Sequence, residues 1–426
     1  MRRISHLRWY VAGLLAAVTA LNYLDRQNLP VAISEIEKSI PLTNQQFSEF
    51  QVMFLLAYSV MYAGGGRIMD WLGTRTGYAV MIVWWSAANL MHGLVASVFG
   101  LGSARFLLGL GEGGAFPGSA KAVSEWFPVK ERSLAFGIFN TGSGVGALVA
   151  PPLIAGIAVW LGWRWVFYLT GVVGFLIAVV WLKIYQLPER HRSITPEERE
   201  YICAARPAVK AGKRVRWISL LQYRQVWGII SAKFLSDAAW YFFIFWLPKY
   251  LADIRHLDIK HIGYYAWIPY ACSAVGSLLG GWLSSSLLRR GMSLDLSRKI
   301  ALGISAALMP FCLLIAVSPL PLAILFFSTA LFGHQFFSTN LQTLPADLFP
   351  SELVGSVAGL GGAAGSFGGM LFNLLVGALL TSYGSYGLVF LIAGLMHPAS
   401  FLLILTVVRK VEPIPNVAQP AALPAV

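Results

Sequence analysis

The sequence predicts an all-α membrane protein with twelve transmembrane helices in two pseudo-symmetric six-helix bundles, and three observations predict it. Hydrophobic residues make up 57% of the 426-residue chain and charged residues only 12%, with a mean hydropathy of +0.65, whereas soluble domains average about 45–50% apolar and about 25% charged. Apolar runs of the roughly 20 residues needed to cross a bilayer as a helix recur along the chain. One long hydrophilic stretch, Lys183 to Arg224, carries ten basic and four acidic residues and divides the runs into six and six. Barrel strands would instead show alternating segments of about 10 residues.

Taken in order, spans are expected at Trp9–Leu29, Phe47–Gly65, Tyr78–Val95, Val98–Ser124, Leu134–Val159, Trp165–Tyr185, Val226–Leu251, Ile262–Leu288, Lys299–Val317, Leu322–Leu344, Val354–Thr381 and Tyr386–Val408. The first follows Arg2-Arg3 as a signal peptide would. Its apolar run is long, however, and passes through Asp25-Arg26 without a small-residue cleavage site, so it reads as a retained helix. In the central stretch, Thr195-Pro196-Glu197-Glu198 is a capping box with proline at the first helical position, which predicts a short solvated linker helix. The segment after Pro413 is rich in Pro and Ala and reads as a disordered tail. The expected domains are an N-terminal bundle over 1–185, a cytoplasmic linker over 186–224, a second bundle over 225–410 and the tail over 411–426.

Charge sets the orientation. With the amino terminus inside, the inward segments hold 24 of the 32 Lys and Arg residues. The outward ones hold only Lys38, Arg164, Lys249, Arg255 and Lys260, and three lie within spans. Both termini are therefore expected in the cytoplasm. This bias accounts for the net charge of +13 without nucleic-acid binding. No phosphate-cradling Gly-x-x-x-x-Gly-Lys-Ser/Thr occurs, and Cys203, Cys272 and Cys312 are scattered. Neither an enzyme site nor a metal or other cofactor is indicated.

Four ionisable residues stand inside predicted spans near the amino terminus: Asp25 and Arg26 in the first, Arg105 and Glu112 in the fourth. A charge at the bilayer centre costs roughly 2.5–3.5 kcal/mol on insertion scales, so these groups must face one another or a wet cavity. A polar cavity inside a bundle suits a solute carrier. A guanidinium keeps its charge there and grips a carboxylate with a fork of donors, so Arg26 and Arg105 suit an organic anion. Alternatively, each arginine pairs permanently with Asp25 or Glu112. Tyr23, Tyr58, Trp240, Tyr241, His334, Gln335, Asn340 and Gln342 could meet the hydroxyls or ring face of a sugar, although an aromatic residue in a span serves packing more often than binding. For coupling to protons the candidates are Asp25, Glu112 and Asp237, the last one turn from Lys233 and equally suited to a self-neutralising pair.

The two halves resemble each other weakly. Trp126-Phe127-Pro128 and Glu131 recur as Leu348-Phe349-Pro350 and Glu352, each followed by a glycine array. A shift of about 222 residues places Glu112 on His334. The loop Gly66-x-x-x-Asp70-x-x-Gly73-x-Arg75 resembles the signature of the major facilitator superfamily, whose plan is a duplicated six-helix unit with the site between its halves. The resemblance implies that Gly66, Asp70 and Arg75 serve gating rather than substrate contact. In the second half, Gly281-Trp282-Leu283-Ser284-Ser285 puts serine where the aspartate would be.

Further motifs narrow the resemblance. Asn22-Tyr23-x-Asp25-Arg26, Arg105 to Gly118 with Gly109, Glu112 and Pro117, and Ser124 to Ser133 resemble the anion:cation symporter branch. Phe245-Trp246-Leu247-Pro248-Lys249-Tyr250-Leu251, Gly280 to Ser284 and Ala346 to Pro350 are similar to its hexuronate transporters. The resemblance implies a monomeric proton-driven importer of hexuronates or related sugar acids, in a bacterial inner membrane, whose partners are the small organic anion, protons and lipid. An exporter or anion exchanger fits the same residues. A ligand-binding membrane sensor would need an output domain, for which the roughly 40-residue loop is too short.

Overall fold

The computed structural model describes residues 4–127, 129–204, 220–349 and 351–414. In chain order the helices are α1 (Leu7–Glu37), α2 (Asn44–Leu72), α3 (Thr74–Leu94), α4 (Val98–Glu112), α5 (Ala115–Trp126), α6 (Val129–Leu161), α7 (Trp163–Ile184), α8 (Pro196–Ala204), α9 (Arg224–Asp253), α10 (Ile259–Tyr265), α11 (Trp267–Arg289), α12 (Leu294–Leu308), α13 (Leu320–Leu348), α14 (Ser351–Tyr383) and α15 (Gly387–Leu403). A 3₁₀ turn, Met309–Leu314, extends α12, and a π turn, Ile404–Val408, ends α15. Among the described residues, nine stretches are long and apolar enough to cross a membrane.

The fourth expected span is not one helix. The chain turns at Gly113-Gly114, leaving a 15-residue α4 and a 12-residue α5. Each glycine costs about 1 kcal/mol of helix propensity relative to alanine. Close packing favours them nonetheless: a Cβ on Gly113 would lie 2.5 Å from the Tyr58 carbonyl oxygen, and one on Gly65 would lie 3.0 Å from the Gly114 Cα.

By contact the chain forms two units, Met1–Ala211 with Ile244–Trp267, and Gly212–Phe243 with Ile268–Val426. The last part of α9 and all of α10, which the sequence places with the second bundle, group with the first unit. In that unit α6 lies against α1 so closely that a Cβ on Gly142 or Gly146 would overlap the carbonyl oxygens of Ala16 and Ala20. A Cβ on Gly109 of α4 would likewise overlap the Phe54 carbonyl of α2. In the second unit, Gly368 of α14 meets the Phe234 carbonyl of α9, and Gly276 and Gly280 of α11 meet those of Phe332 and Phe336 on α13. Without much hydrophobic drive between helices in lipid, such small-residue contacts supply the dispersion energy that holds them.

The ends of elements are set locally. Gly73 joins α2 to α3 at φ +76°, where a Cβ would be strained. Thr43 and Gln46 form a capping box on α2, and Asp258 caps α10 through the His261 amide, which holds the Asp258 carboxyl below its usual range.

The linker helix differs from the expectation. Thr195 Oγ1 accepts from the Glu198 amide at 3.3 Å, as a cap should. The Glu198 side chain, however, is buried rather than solvated: it accepts from the Leu7 and Arg8 amides at 2.9 and 3.2 Å and pairs with Arg8 Nη1 at 2.8 Å. It thus caps α1, whose first amides would otherwise lack partners. A bridge between Ile4 and Ile194 fixes the same approach. The tail beyond residue 414 and residues 205–219 of the linker lie outside the described residues.

Candidate functional site

Asp25, Arg26, Arg105 and Glu112 are all buried in the first unit. Turn spacing on α1 brings Asn22, Asp25 and Arg26 to adjoining faces. Arg26 donates from Nε and Nη2 to one oxygen of Glu112, at 3.1 and 3.0 Å, and from Nη2 to Asn22 at 3.2 Å. Its guanidinium carbon lies 4.7, 4.8 and 5.2 Å from the ring centres of Tyr23, Tyr58 and Phe54. A desolvated cation among aromatic rings gains about 2 kcal/mol or more from such contacts.

Arg105 is arranged differently. Its Nη2 donates to the Arg26 carbonyl oxygen at 2.8 Å and to Gln51 at 3.1 Å. Phe54 and Phe245 cover it at 4.8 and 5.7 Å. Among the described residues, Nε and Nη1 of Arg105 have no hydrogen-bond partner, nor does Oε1 of Glu112. Buried donors with unspent capacity are what a carboxylate ligand would satisfy. The seven-residue spacing of Arg105 and Glu112 does not make them an ion pair, because Glu112 is taken by Arg26.

Asp25 meets no arginine directly. Its Oδ1 accepts from Asn89 at 2.9 Å and from Asn28 at 3.4 Å, and both amides also donate to Thr170 Oγ1, at 2.6 and 2.8 Å. Asn28, Gln51, Asn89 and Thr170 were not singled out from sequence. They are neutral residues within apolar spans, and only the burial of a charge beside them gives them significance.

The second unit gathers other candidates. The Trp240 ring stacks on His334 at 4.7 Å with a 10° interplanar angle. His334 Nδ1 lies 3.0 Å from Nε2 of His397, a last-helix residue the sequence reading passed over. Tyr241 and Ser366 hydroxyls are 3.4 Å apart. Asp237 pairs with Lys233 at 2.8 Å, and Gly361 and Gly365 of α14 make room for this pair. Asn340 spends its amide donors on the Gly280 and Phe336 carbonyls, at 3.1 and 3.0 Å, which ties α11 to α13. Gln335 is half-buried, and Gln342 donates to Ser338 at 2.9 Å.

At the α2–α3 turn, Arg75 donates from Nε and Nη2 to the Leu182 carbonyl, and Lys121 donates to the Met69 carbonyl at 3.0 Å. The surroundings of Gly66 and the side chain of Asp70 lie outside what the structure describes. In the second unit, where serine replaces the aspartate, Ser284 Oγ accepts from Arg298 Nη1 at 2.7 Å while Arg298 pairs with Asp347 at 2.8 Å.

Comparison with known proteins gives the family and the fold. The family model of the Major Facilitator Superfamily matches residues 15–372. The chain is 35% identical over 425 residues to the hexuronate transporter of Escherichia coli strain K12, covering 98% of each. It is 34% identical over 313 residues to the galacturonate transporter of Dickeya chrysanthemi, covering 72% of this chain and 91% of that one. The fold is similar to the crystal structure of a bacterial homolog of the human lysosomal transporter Spinster, with a TM-score of 0.71 at 18% identity, covering 95% and 96% of the chains. The all-helical architecture, the buried charges and the family match agree: the chain belongs to the major facilitator superfamily, whose members are transporters and not enzymes.

Proposed function

We propose that the chain imports hexuronates or closely related sugar acids together with protons, as a multi-pass protein of a bacterial inner membrane with both termini in the cytoplasm. The observation that carries this reading is Arg105, buried with two guanidinium nitrogens unspent beside the Arg26–Glu112 pair. Such a group binds an organic anion and leaves a carboxyl nearby to exchange a proton. The names of the relatives support a sugar acid as that anion.

In this reading Arg105 takes the substrate carboxylate, with Arg26, Tyr23 and Tyr58 around it. Trp240, Tyr241, His334, Gln335 and Asn340 are the second unit's candidates for the sugar, of which Trp240 offers a sugar-ring platform stacked on His334. Glu112 is the leading proton carrier, followed by Asp25 and then by Asp237, which is occupied with Lys233. Bundles of residues 1–185 and 225–410 rock in a monomer, with Gly66, Asp70 and Arg75 governing the exchange of states. A counterflow screen in reconstituted vesicles with labelled galacturonate, glucuronate, galactonate and glucarate tests the substrate, and an imposed pH gradient tests the coupling. Absence of counterflow with all four would remove the sugar-acid reading. Uptake indifferent to the gradient would remove proton coupling.

A further inference from the structure

His334 and His397 meet ring to ring in the second unit, and their surroundings decide where the ring hydrogens sit. His334 stands on α13, His397 on α15 and Trp240 on α9. Nδ1 of His334 lies 3.0 Å from Nε2 of His397, with the ring planes at 77°. A neutral imidazole carries a hydrogen on one nitrogen and a bare lone pair on the other, so a contact of this length holds one hydrogen between the two rings. Among the described residues neither ring is paired with an acid, and a charge buried in a span is costly, so the pair is neutral.

The far nitrogens separate the two ways of placing that hydrogen. His397 is fully buried, its Nδ1 has no hydrogen-bond partner among the described residues, and the Phe337 ring lies 5.0 Å away at 70°. Were His334 the donor, His397 would carry its own hydrogen on that sealed Nδ1. A buried N–H without an acceptor is rarer in proteins than an acceptor with a spare lone pair, and neutral histidine prefers Nε2–H intrinsically. His397 therefore donates from Nε2. His334, whose Nδ1 accepts, is left with its hydrogen on Nε2. That nitrogen has no partner among the described residues and, unlike His397 Nδ1, is not sealed. Stacking on Trp240 at 4.7 Å fixes the plane in which it points.

We propose that His397 is a positioning residue for sugar recognition: it holds His334 in the Nε2–H form, as a fixed donor to a hydroxyl oxygen of the sugar acid beside the Trp240 ring. The proposal rests on the transport reading given above and deepens it. A neutral donor next to an aromatic face suits a hydroxyl on a sugar ring, whereas the carboxylate is the business of Arg105.

The test measures galacturonate affinity of the purified full-length chain, with thermal unfolding alongside. His397→Gln puts an amide donor where the imidazole Nε2 stood and should keep affinity within about twofold. His397→Leu removes the donor and should lower affinity by about three- to tenfold, the share of one neutral hydrogen bond. His334→Phe keeps an aromatic ring against Trp240 and loses the donor, so adding His397→Leu to it should cause no further loss. Equal losses in the Gln and Leu variants overturn the proposal, as does a loss from His397→Leu that is the same in both backgrounds, which would mark a purely structural role. If the Leu variant does not fold, the Gln variant decides: retained affinity supports the proposal and a tenfold loss overturns it. A second readout needs no ligand. In the chain isotope-labelled at its histidine nitrogens, magnetic resonance should find the ring hydrogens of both residues on Nε2, the signals being assigned by their absence in His334→Phe and His397→Gln. A hydrogen on Nδ1 of either ring overturns the proposal. If the unmodified chain does not bind galacturonate, the transport reading fails separately, and the hydrogen placement is judged on the nitrogen signals alone.

Discussion

Arg105→Lys keeps the charge in the buried site and changes only its shape, so it isolates what the guanidinium fork contributes. Arg105 reaches the Arg26 carbonyl and Gln51 with one nitrogen, at 2.8 and 3.1 Å, and leaves Nε and Nη1 for a ligand. A lysine ammonium has three donors on a single atom. It cannot hold the Arg26 carbonyl and Gln51 while also presenting two separated donors to a carboxylate. The loss is at least one charge-assisted hydrogen bond to substrate, about 1.5–3 kcal/mol, or about 10- to 150-fold in affinity. The cation–π contact with Phe54 at 4.8 Å weakens as well. The assay is galacturonate binding by the purified protein, with thermal unfolding measured alongside so that loss of fold is not taken for loss of site. An affinity within threefold of the unmodified protein, in a variant that melts normally, would remove Arg105 from the substrate site.

Glu112→Gln should retain galacturonate counterflow in vesicles yet lose uphill uptake under an imposed pH gradient, because an amide cannot release a proton. Moving a monoanion inward is opposed by about 2.3 kcal/mol per 100 mV unless a cation accompanies it, so uphill uptake that persists in this variant would exclude Glu112 as the proton carrier. Glu198→Ala uncaps α1 and should destabilise the protein by about 0.5–2 kcal/mol, read as a lower melting temperature with substrate affinity unchanged; an unchanged melting temperature would mean that the Leu7 and Arg8 contacts contribute nothing. Gly142→Val drives a branched side chain into the Ala16 carbonyl and should cost about 1–3 kcal/mol as overpacking; normal melting would show that α1 and α6 part freely.

The charged members of the site were legible because each interrupts an apolar run: Asp25, Arg26, Arg105 and Glu112 stand out on the cost of burying a charge alone. Their pairing was not. Seven-residue spacing puts Arg105 and Glu112 on one helix face, but the choice of partner lies with α1, 86 residues away from Glu112, where Arg26 has the better approach. Asn89 and Thr170 were invisible for a different reason. Neutral polar residues carry little penalty in a span, and these two lie 64 and 142 positions from the groups they meet on α1, so no local pattern joins them to Asp25. The break in the fourth helix was half legible. Gly113-Gly114 lies within an apolar run long enough for one span, and close packing accounts for the glycines, but the interruption of the helix there has no separate sequence signal. For Glu198 the capping box forecast the helix start, while the destination of its carboxylate depended on the tertiary approach of α1.

The repeat between the halves persists in contacts more than in residues. In the first unit α4 supplies the glycine, Gly109, and α2 supplies the carbonyl, that of Phe54; in the second unit α11 supplies Gly276 and α13 the Phe332 carbonyl. Under the shift of about 222 residues, Phe54 falls on Gly276 and Gly109 falls next to Phe332, so glycine and phenylalanine have exchanged helices while the close crossing remains. Either arrangement lets backbones meet, which is all that dispersion between helices in lipid requires. The same latitude does not extend to the charged cluster. A guanidinium and a carboxylate on exchanged helices would present opposite ends of the pair to a ligand, and the second unit has no such pair at the equivalent place: His334 stands where Glu112 would fall and bonds to another imidazole. Glycines therefore permit the close helix crossings in both units. Of the two units it is the first that holds Arg26, Arg105 and Glu112 together, so on the proposed reading the anion is received there.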